Sequence, residues 1–438
     1  MRTRYTGGRV FDRQSGQLVP ADILTQDGVV TAIGRDTVSI PADRVFFLSG
    51  CAIFPGFTDV HVHFREPGFS YKETIRTGSL ASARGGYTQV CTMPNLNPPP
   101  DNIEHLALEQ SIIDRDAAIR VHPFASITVG QRGEGKLVDF ESLAGKAIGF
   151  SDDGRGVKDE STMMEAMRRC KAIGGIISAH CEDTTLIPPG ASIHAGKYAA
   201  AHNLSGIPSE SEWKPIARDI ELCRDIGCRY HVCHVSTKES VELIRRAKRE
   251  GINITCETAP HYLLLCEDDL SENPDAPDAG RFKMNPPLRS RADRDALLEG
   301  LLDGTIDCIA TDHAPHSAEE KAKGLTGSAM GIVGIETAFP LLYTHLVQKG
   351  IVPLSVLIDR LCYRPRARFK LSGGIETGDR FEMTAFDLNV QKTVDPEDFL
   401  SKGRATPFSG WPVHAQCRMT VIGETICYRD TKETENAR

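Results

Sequence analysis

The stretch DVHVHFREPG, residues 59–68, sets His61 and His63 two positions apart, with Arg65 two further on. In an extended strand such residues point to one face, so the imidazoles and Arg65 would project together from a strand end. Paired imidazoles suit a divalent metal, and a guanidinium beside them suits an anionic ligand. Alone, an HxH pair more often marks partly buried structural histidines. Other residues of ligand type close further apolar runs: Asp152 and Asp153 in AIGFSDDG, His180 in GIISAHCED, His234 in RYHVCHVST, and Asp312 in DCIATDHAPH, with His313 and His316 just after. Asn95 closes TQVCTMPN in the same way. Four histidines exceed one tetrahedral site that keeps room for water, so Asp153 can bridge to a second ion. Taken singly, Asp152 and Asp153 could cap a turn into Gly154, and Asp312 could cap the segment after it. Jointly, several independent caps would have to share one rim.

That shared rim requires a scaffold. Eight short β-rich runs, from AIFPGFTDVHVHF to DCIATDHAPH, alternate with segments of helical period such as IEHLALEQSIIDRDAA and ESVELIRRAKREG. The alternation predicts a (β/α)₈ TIM-type barrel over residues 55–374, in which the C-terminal strand ends carry the site. A doubly wound sheet is the alternative, but no GxGxxG follows the first strand. Short strands also fill residues 1–54 and 375–438, which are expected to form one small β domain from both chain ends. The stretch 181–213 and the Gly-rich EEKAKGLTGSAMGIVG are loops of functional length. His231 should point away from a ligand at His234 and serve packing. His105, His122, His194, His202, His345 and His414 lie outside the strand ends and read as structural or exposed.

Bulk properties narrow the class. The 438 residues carry a formal charge of −8, with 25% charged and 40% apolar side chains. This is an ordinary globular balance without the basic footprint of a nucleic-acid binder. No apolar run is long enough to span a membrane, and the first residues lack a secretory core. The 13 cysteines include no CxxC pair and sit mostly in apolar runs, as expected of reduced thiols in a cytoplasmic protein.

The motifs DVHVHFREPG, MPN, SDDG, AHCED, CHVSTKES, KMNPPLR and ATDHAPH occur in order between Phe54 and Leu371. Together they resemble the amidohydrolase superfamily and, within it, the bacterial class I dihydroorotases. HxH with a late Asp marks only the superfamily; HFREPG, MPN and KMNPPLR are more specific. The resemblance implies one or two Zn²⁺ ions, with His61, His63 and Asp312 on one side, His180 and His234 on the other, and Asp153 between. It implies Asp312 as acid/base and places His63, Arg65, Asn95, Asn285, His316, Met330 and Gly331 around the substrate. Phe is common where Met330 stands, so Met330 is a departure from the family that bears on loop packing more than on chemistry. Many superfamily members bridge their metals with a carbamylated lysine. Here Lys146 is the nearest lysine before Gly154, and it reads as an exposed loop residue. The implied reaction is reversible hydrolysis of dihydroorotate to N-carbamoyl-L-aspartate, and the implied partners are a second copy and aspartate carbamoyltransferase. Two competing readings are a related cyclic amidase acting on hydantoins, dihydropyrimidines or allantoin, and a non-catalytic scaffold. Arg65 argues against the first, unless Glu66 or another protein carboxylate holds it. The filled ligand positions argue against the second.

Overall fold

The computed structural model describes residues 1–430. The eight apolar runs form the predicted parallel series. Phe57–Val62 pairs with Tyr87–Thr92, which pairs with Arg120–Pro123. Single parallel bridges then join Ala125 to Phe150 and Phe150 to Ile177. Ile177–Ala179, Tyr230–Val232, Ile254–Thr258 and Cys308–Ile309 follow in order. A parallel bridge from His313 to Val62 closes the circuit. Both faces of Phe57–Val62 and Tyr87–Thr92 are buried, as parallel strands covered by helices require.

Helices occupy the segments between. Ile75–Arg84, Ile103–Asp116, Glu160–Ala172, Lys238–Arg249 and Arg291–Asp303 each begin after a side-chain cap, from Thr74, Asn102, Asp159, Thr237 and Ser290. Each such cap stabilises its helix by ~1 kcal/mol. Glu210–Ile226 stops at Gly227, whose φ of 75° suits a residue without a side chain. Helical stretches at 338–347 and 354–369 are not marked by the sequence pattern, because Pro340 and Pro365 fall inside their apolar periods.

Strands from both chain ends share one sheet. Arg9–Asp12, Gln17–Pro20 and Cys51–Pro55 lie beside Glu382–Thr393, Pro412–Ile422 and Thr425–Arg429 in a six-stranded sheet. A four-stranded sheet is built from the first 47 residues alone. Residues 431–438 of the expected C-terminal part lie outside the described residues. Phe386 of the shared sheet stacks on Phe57, with ring centroids 5.7 Å apart, so the two halves meet through apolar contact. The long loops are not structureless: 181–213 holds a two-strand ladder and the helix Lys197–Ala201, and the Gly-rich loop folds into Ala318–Lys321 and Gly324–Gly327.

Strand alternation does not carry Arg65. The strand ends at Val62, and Arg65 sits in the left-handed region at φ 61°. It reaches the cavity through a turn.

Candidate metal centre

The rim residues converge. Asp153 Oδ1 lies 3.4 Å from His61 Nε2, 3.5 Å from His180 Nδ1 and 3.4 Å from His234 Nε2, while its Oδ2 is 3.6 Å from His63 Nε2. Asp312 Oδ1 is 3.1 Å from His63 Nε2 and 3.6 Å from His61 Nε2. His180 Nδ1 and His234 Nε2 face each other at 3.0 Å. All six residues are buried. Ligands at ~2.0–2.2 Å from a tetrahedral ion stand ~3.3–3.6 Å apart, which matches most of these separations. The His61 Nε2 has no hydrogen-bond partner among the described residues, although buried polar atoms are normally satisfied. His61, His63 and Asp312 form one group able to hold an ion, and His61, Asp153 and His234 another. The residues present fit a divalent metal.

Backbone strain marks the same place. His234 at φ 32° and Asp312 at φ 48° join Arg65 in the left-handed region, which costs a non-glycine residue ~1–3 kcal/mol and persists only where the surroundings impose it. Asp59, the first residue of the HxH motif, supplies part of that imposition. Its carboxylate accepts from the His61 N–H (3.0 Å) and from the Thr311 N–H and hydroxyl (2.6 Å to the hydroxyl). One buried carboxylate thus ties the strand of the paired histidines to the strand of Asp312. Burial pushes it up to about 7, against the Thr311 hydrogen bond.

The sequence leaves Asp152 and Asp153 as rivals, and the fold separates them. Asp152 accepts backbone N–H groups of Ile127 (2.8 Å), Thr128 and Gly133 (3.1 Å) and so serves as a turn anchor. Burial raises Asp153, but His61 and the other imidazoles outweigh it and hold the carboxyl well below the usual range. Lys146 is exposed, with its ammonium on the Ser142 carbonyl at 3.0 Å.

Glu257 was not singled out by sequence pattern, although CETAPH closes its strand. It is fully buried, accepts from His61 Nδ1–H at 2.7 Å and contacts His231 Nε2 at 3.0 Å. This fixes the His61 tautomer with its Nε2 lone pair toward Asp153 and Asp312. His231 is therefore a packing residue with a positional duty, its Nδ1 on the Thr255 hydroxyl at 2.8 Å. Such outer partners typically contribute ~10–100-fold to metal affinity, so Glu257→Gln should weaken metal binding by that factor in a chelator competition. Unchanged affinity in the folded variant would remove this role. His261 also escaped notice; it is buried, its Nε2 is without a partner among the described residues, and burial lowers it to about 4.

Beside the cluster opens a cavity of about 210 Å³, lined by His63, Arg65, Asn95, Asp153, His180, His234, Asn285, Asp312, Met330 and Gly331, with Gly154 and Ala314. His61 lies behind it. A larger hollow of about 350 Å³ near Arg84 and Lys392 adjoins none of these groups. Arg65 donates to the Pro315 carbonyl at 3.3 Å and pairs with no carboxylate among the described residues. Glu66 is engaged elsewhere, accepting from the Ile75 N–H (2.9 Å) and the Ser70 hydroxyl. His316 is lowered to about 3 by burial, Arg65 and Lys72; neutral, it donates Nε2–H to the Met330 carbonyl at 2.8 Å and accepts from Lys72 at Nδ1. Asn95 donates to the Asp153 carbonyl at 2.7 Å, and Asn285 donates to Glu182 at 2.8 Å.

A dihydro-orotase-like family model matches residues 50–240. A dihydroorotase of Bacillus cytotoxicus is 48% identical, over 98% of this chain and 99% of its own. One of Shouchella clausii is 49% identical, over 99% and 100%. The chain belongs to the dihydroorotase family. Similar solved structures extend its fold to other cyclic amidases. The L-hydantoinase of Arthrobacter aurescens superposes with a TM-score of 0.86 at 26% identity, covering 98% of this chain and 96% of its own. A dihydropyrimidinase of Brevibacillus agri gives 0.84 at 23% identity, over 98% and 95%. This dihydroorotase-family chain presents a guanidinium on its cavity wall that has no carboxylate partner among the described residues.

Proposed function

We propose that this chain is a dihydroorotase that reversibly hydrolyses the cyclic amide of (S)-dihydroorotate to N-carbamoyl-L-aspartate in pyrimidine synthesis. The observation that carries this reading is Arg65, half-buried on the wall of the cavity beside the cluster and without a carboxylate partner among the described residues. A guanidinium drawn partly out of water with no counter-charge is costly, and a carboxylate on the substrate ring offsets that cost. The closed circuit of eight parallel strands is read as a (β/α)₈ barrel over residues 55–374, with the shared terminal sheet as a small β domain. His61, His63 and Asp312, with His180 and His234 across Asp153, are the proposed ligands of one or two Zn²⁺ ions. When bound, such an ion supplies Lewis acidity and lowers the pKa of water towards ~7.

The chain's own groups do the rest. Arg65 orients the ring by pairing with its carboxylate, with His316 bordering the same end. Asn95 spends one amide N–H on the Asp153 carbonyl, and its side-chain oxygen, without a partner among the described residues, suits a ring N–H. Asn285 and the backbone of Met330–Gly331, the latter held by His316 through the Met330 carbonyl, complete the lining. Asp312 takes the proton of the attacking water and hands it to the leaving ring nitrogen; ring closure reverses both transfers. Reduced buried thiols support a cytoplasmic setting. The reading extends to a homodimer and to association with aspartate carbamoyltransferase, which size-exclusion chromatography of each protein alone and of their mixture tests.

Metal analysis beside a dihydroorotate hydrolysis assay tests the core of the proposal. Thorough chelation should abolish turnover, and Zn²⁺ should restore it. Because Asp153, rather than a carbamylated lysine, would be the residue shared between the two ions, adding or stripping bicarbonate should leave the rate unchanged. Full activity without metal would sink the proposal, and bicarbonate dependence would sink the bridge.

A further inference from the structure

Lys283 and Lys321 are each only 6% exposed, yet neither pairs with a carboxylate among the described residues. Burying an ammonium is expensive, so these side chains require a reason. Lys321 Nζ donates to the carbonyls of Lys283 (2.9 Å) and Ala329 (2.7 Å). The same Lys283 carbonyl accepts the Gly331 N–H at 3.0 Å, and Lys283 Nζ reaches the Thr326 carbonyl at 2.6 Å. One amine thus joins two chain segments that reach the cavity, through Asn285 on one side and Met330–Gly331 on the other. The seat leaves little slack. A Cβ built on Gly331 would lie 2.6 Å from the Ala314 carbonyl, and one on Gly280 would lie 2.2 Å from the Lys321 carbonyl.

We propose that Lys321 is a positioning residue for substrate binding: its amine clips residues 329–331 to Lys283 and so sets the width of the ring pocket. This rests on the dihydroorotase reading of that pocket. Burial and Lys283 bring Lys321 down to about 7. A neutral amine still has two N–H groups, one for each carbonyl, so the clip survives loss of the proton. Methionine would fill the same volume without either donor.

Lys321→Met in the metal-loaded protein is the test. Removing two buried donors should raise KM for dihydroorotate ~10-fold or more while kcat stays within about threefold. Metal content should not change, and amide hydrogen exchange at residues 328–331 should accelerate by ~10-fold or more. Ser328→Ala removes the hydroxyl that holds the loop to the Lys321 carbonyl (2.9 Å), and should move KM and exchange in the same direction by less. It carries the test alone if Lys321→Met does not fold. Wild-type KM and exchange in the folded variants overturn the clip. So does a parallel loss of kcat and metal, which indicates general structural support. If the wild type itself does not turn over dihydroorotate, the functional reading fails instead; faster exchange at 328–331 then still supports the clip, and unchanged exchange overturns it.

Discussion

Asp312→Asn should lower kcat by ~10²–10⁴-fold, the range that general acid/base catalysis supplies. The substitution nearly preserves shape but replaces a basic oxygen with an amide that neither accepts nor returns a proton. Its geometry favours the role. Asp312 follows the eighth strand, its backbone is held at φ 48°, and its carboxylate stands 3.1 Å from His63 Nε2 on the cavity wall. Burial raises the carboxyl, but His63 and His61 outweigh it, so the group is held below its ordinary range and is an anion at neutral pH. Because Asp312 is also a proposed ligand, metal content has to be measured on the same sample as the rate. A variant that keeps its metal and loses less than ~10-fold in kcat removes the shuttle role.

The substrate should be decided by Arg65. Dihydroorotate, which carries a ring carboxylate, should exceed dihydrouracil, which lacks it, by ~10⁴-fold in kcat/KM, the discrimination that a site built around a polar partner can reach. Hydrogen bonds to charged groups are worth ~1.5–3 kcal/mol, so Arg65→Ala should cost ~10–150-fold in kcat/KM towards dihydroorotate. It should change the dihydrouracil rate little. The competing account, in which Arg65 is held by Glu66, loses its partner: Glu66 caps the start of Ile75–Arg84 by accepting the Ile75 N–H. Comparable kcat/KM values for the two rings would favour a broader cyclic amidase.

Much of the site was legible because its chemistry lies on strand ends. A strand that feeds a helix brings its last residues to one rim, so His61, His180, His234 and Asp312 declare themselves by type and place without any knowledge of contacts. Carboxylates one residue apart, such as Asp152 and Asp153, do not. Which of them turns inward depends on the N–H groups of Ile127, Thr128 and Gly133, supplied from the preceding strand-to-loop turn. Helical period likewise marks Ile103–Asp116 and Lys238–Arg249, but fails over 338–369, where prolines interrupt the pattern and packing restores the helix.

By itself, the sequence determined the order of strands and helices, the rim that carries histidines and carboxylates, and the presence of a guanidinium close to that rim. These follow from local period and residue chemistry. The tertiary structure alone decided that Glu257 orients His61, that Asp59 links the first strand to the last, that Arg65 reaches the cavity through a left-handed turn, and that Lys321 holds the loop wall. Each of these depends on atoms far apart in the chain — 196 residues separate Glu257 from His61. A hydrogen bond across that distance leaves no periodic trace, because its geometry exists only after the strands have closed on one another.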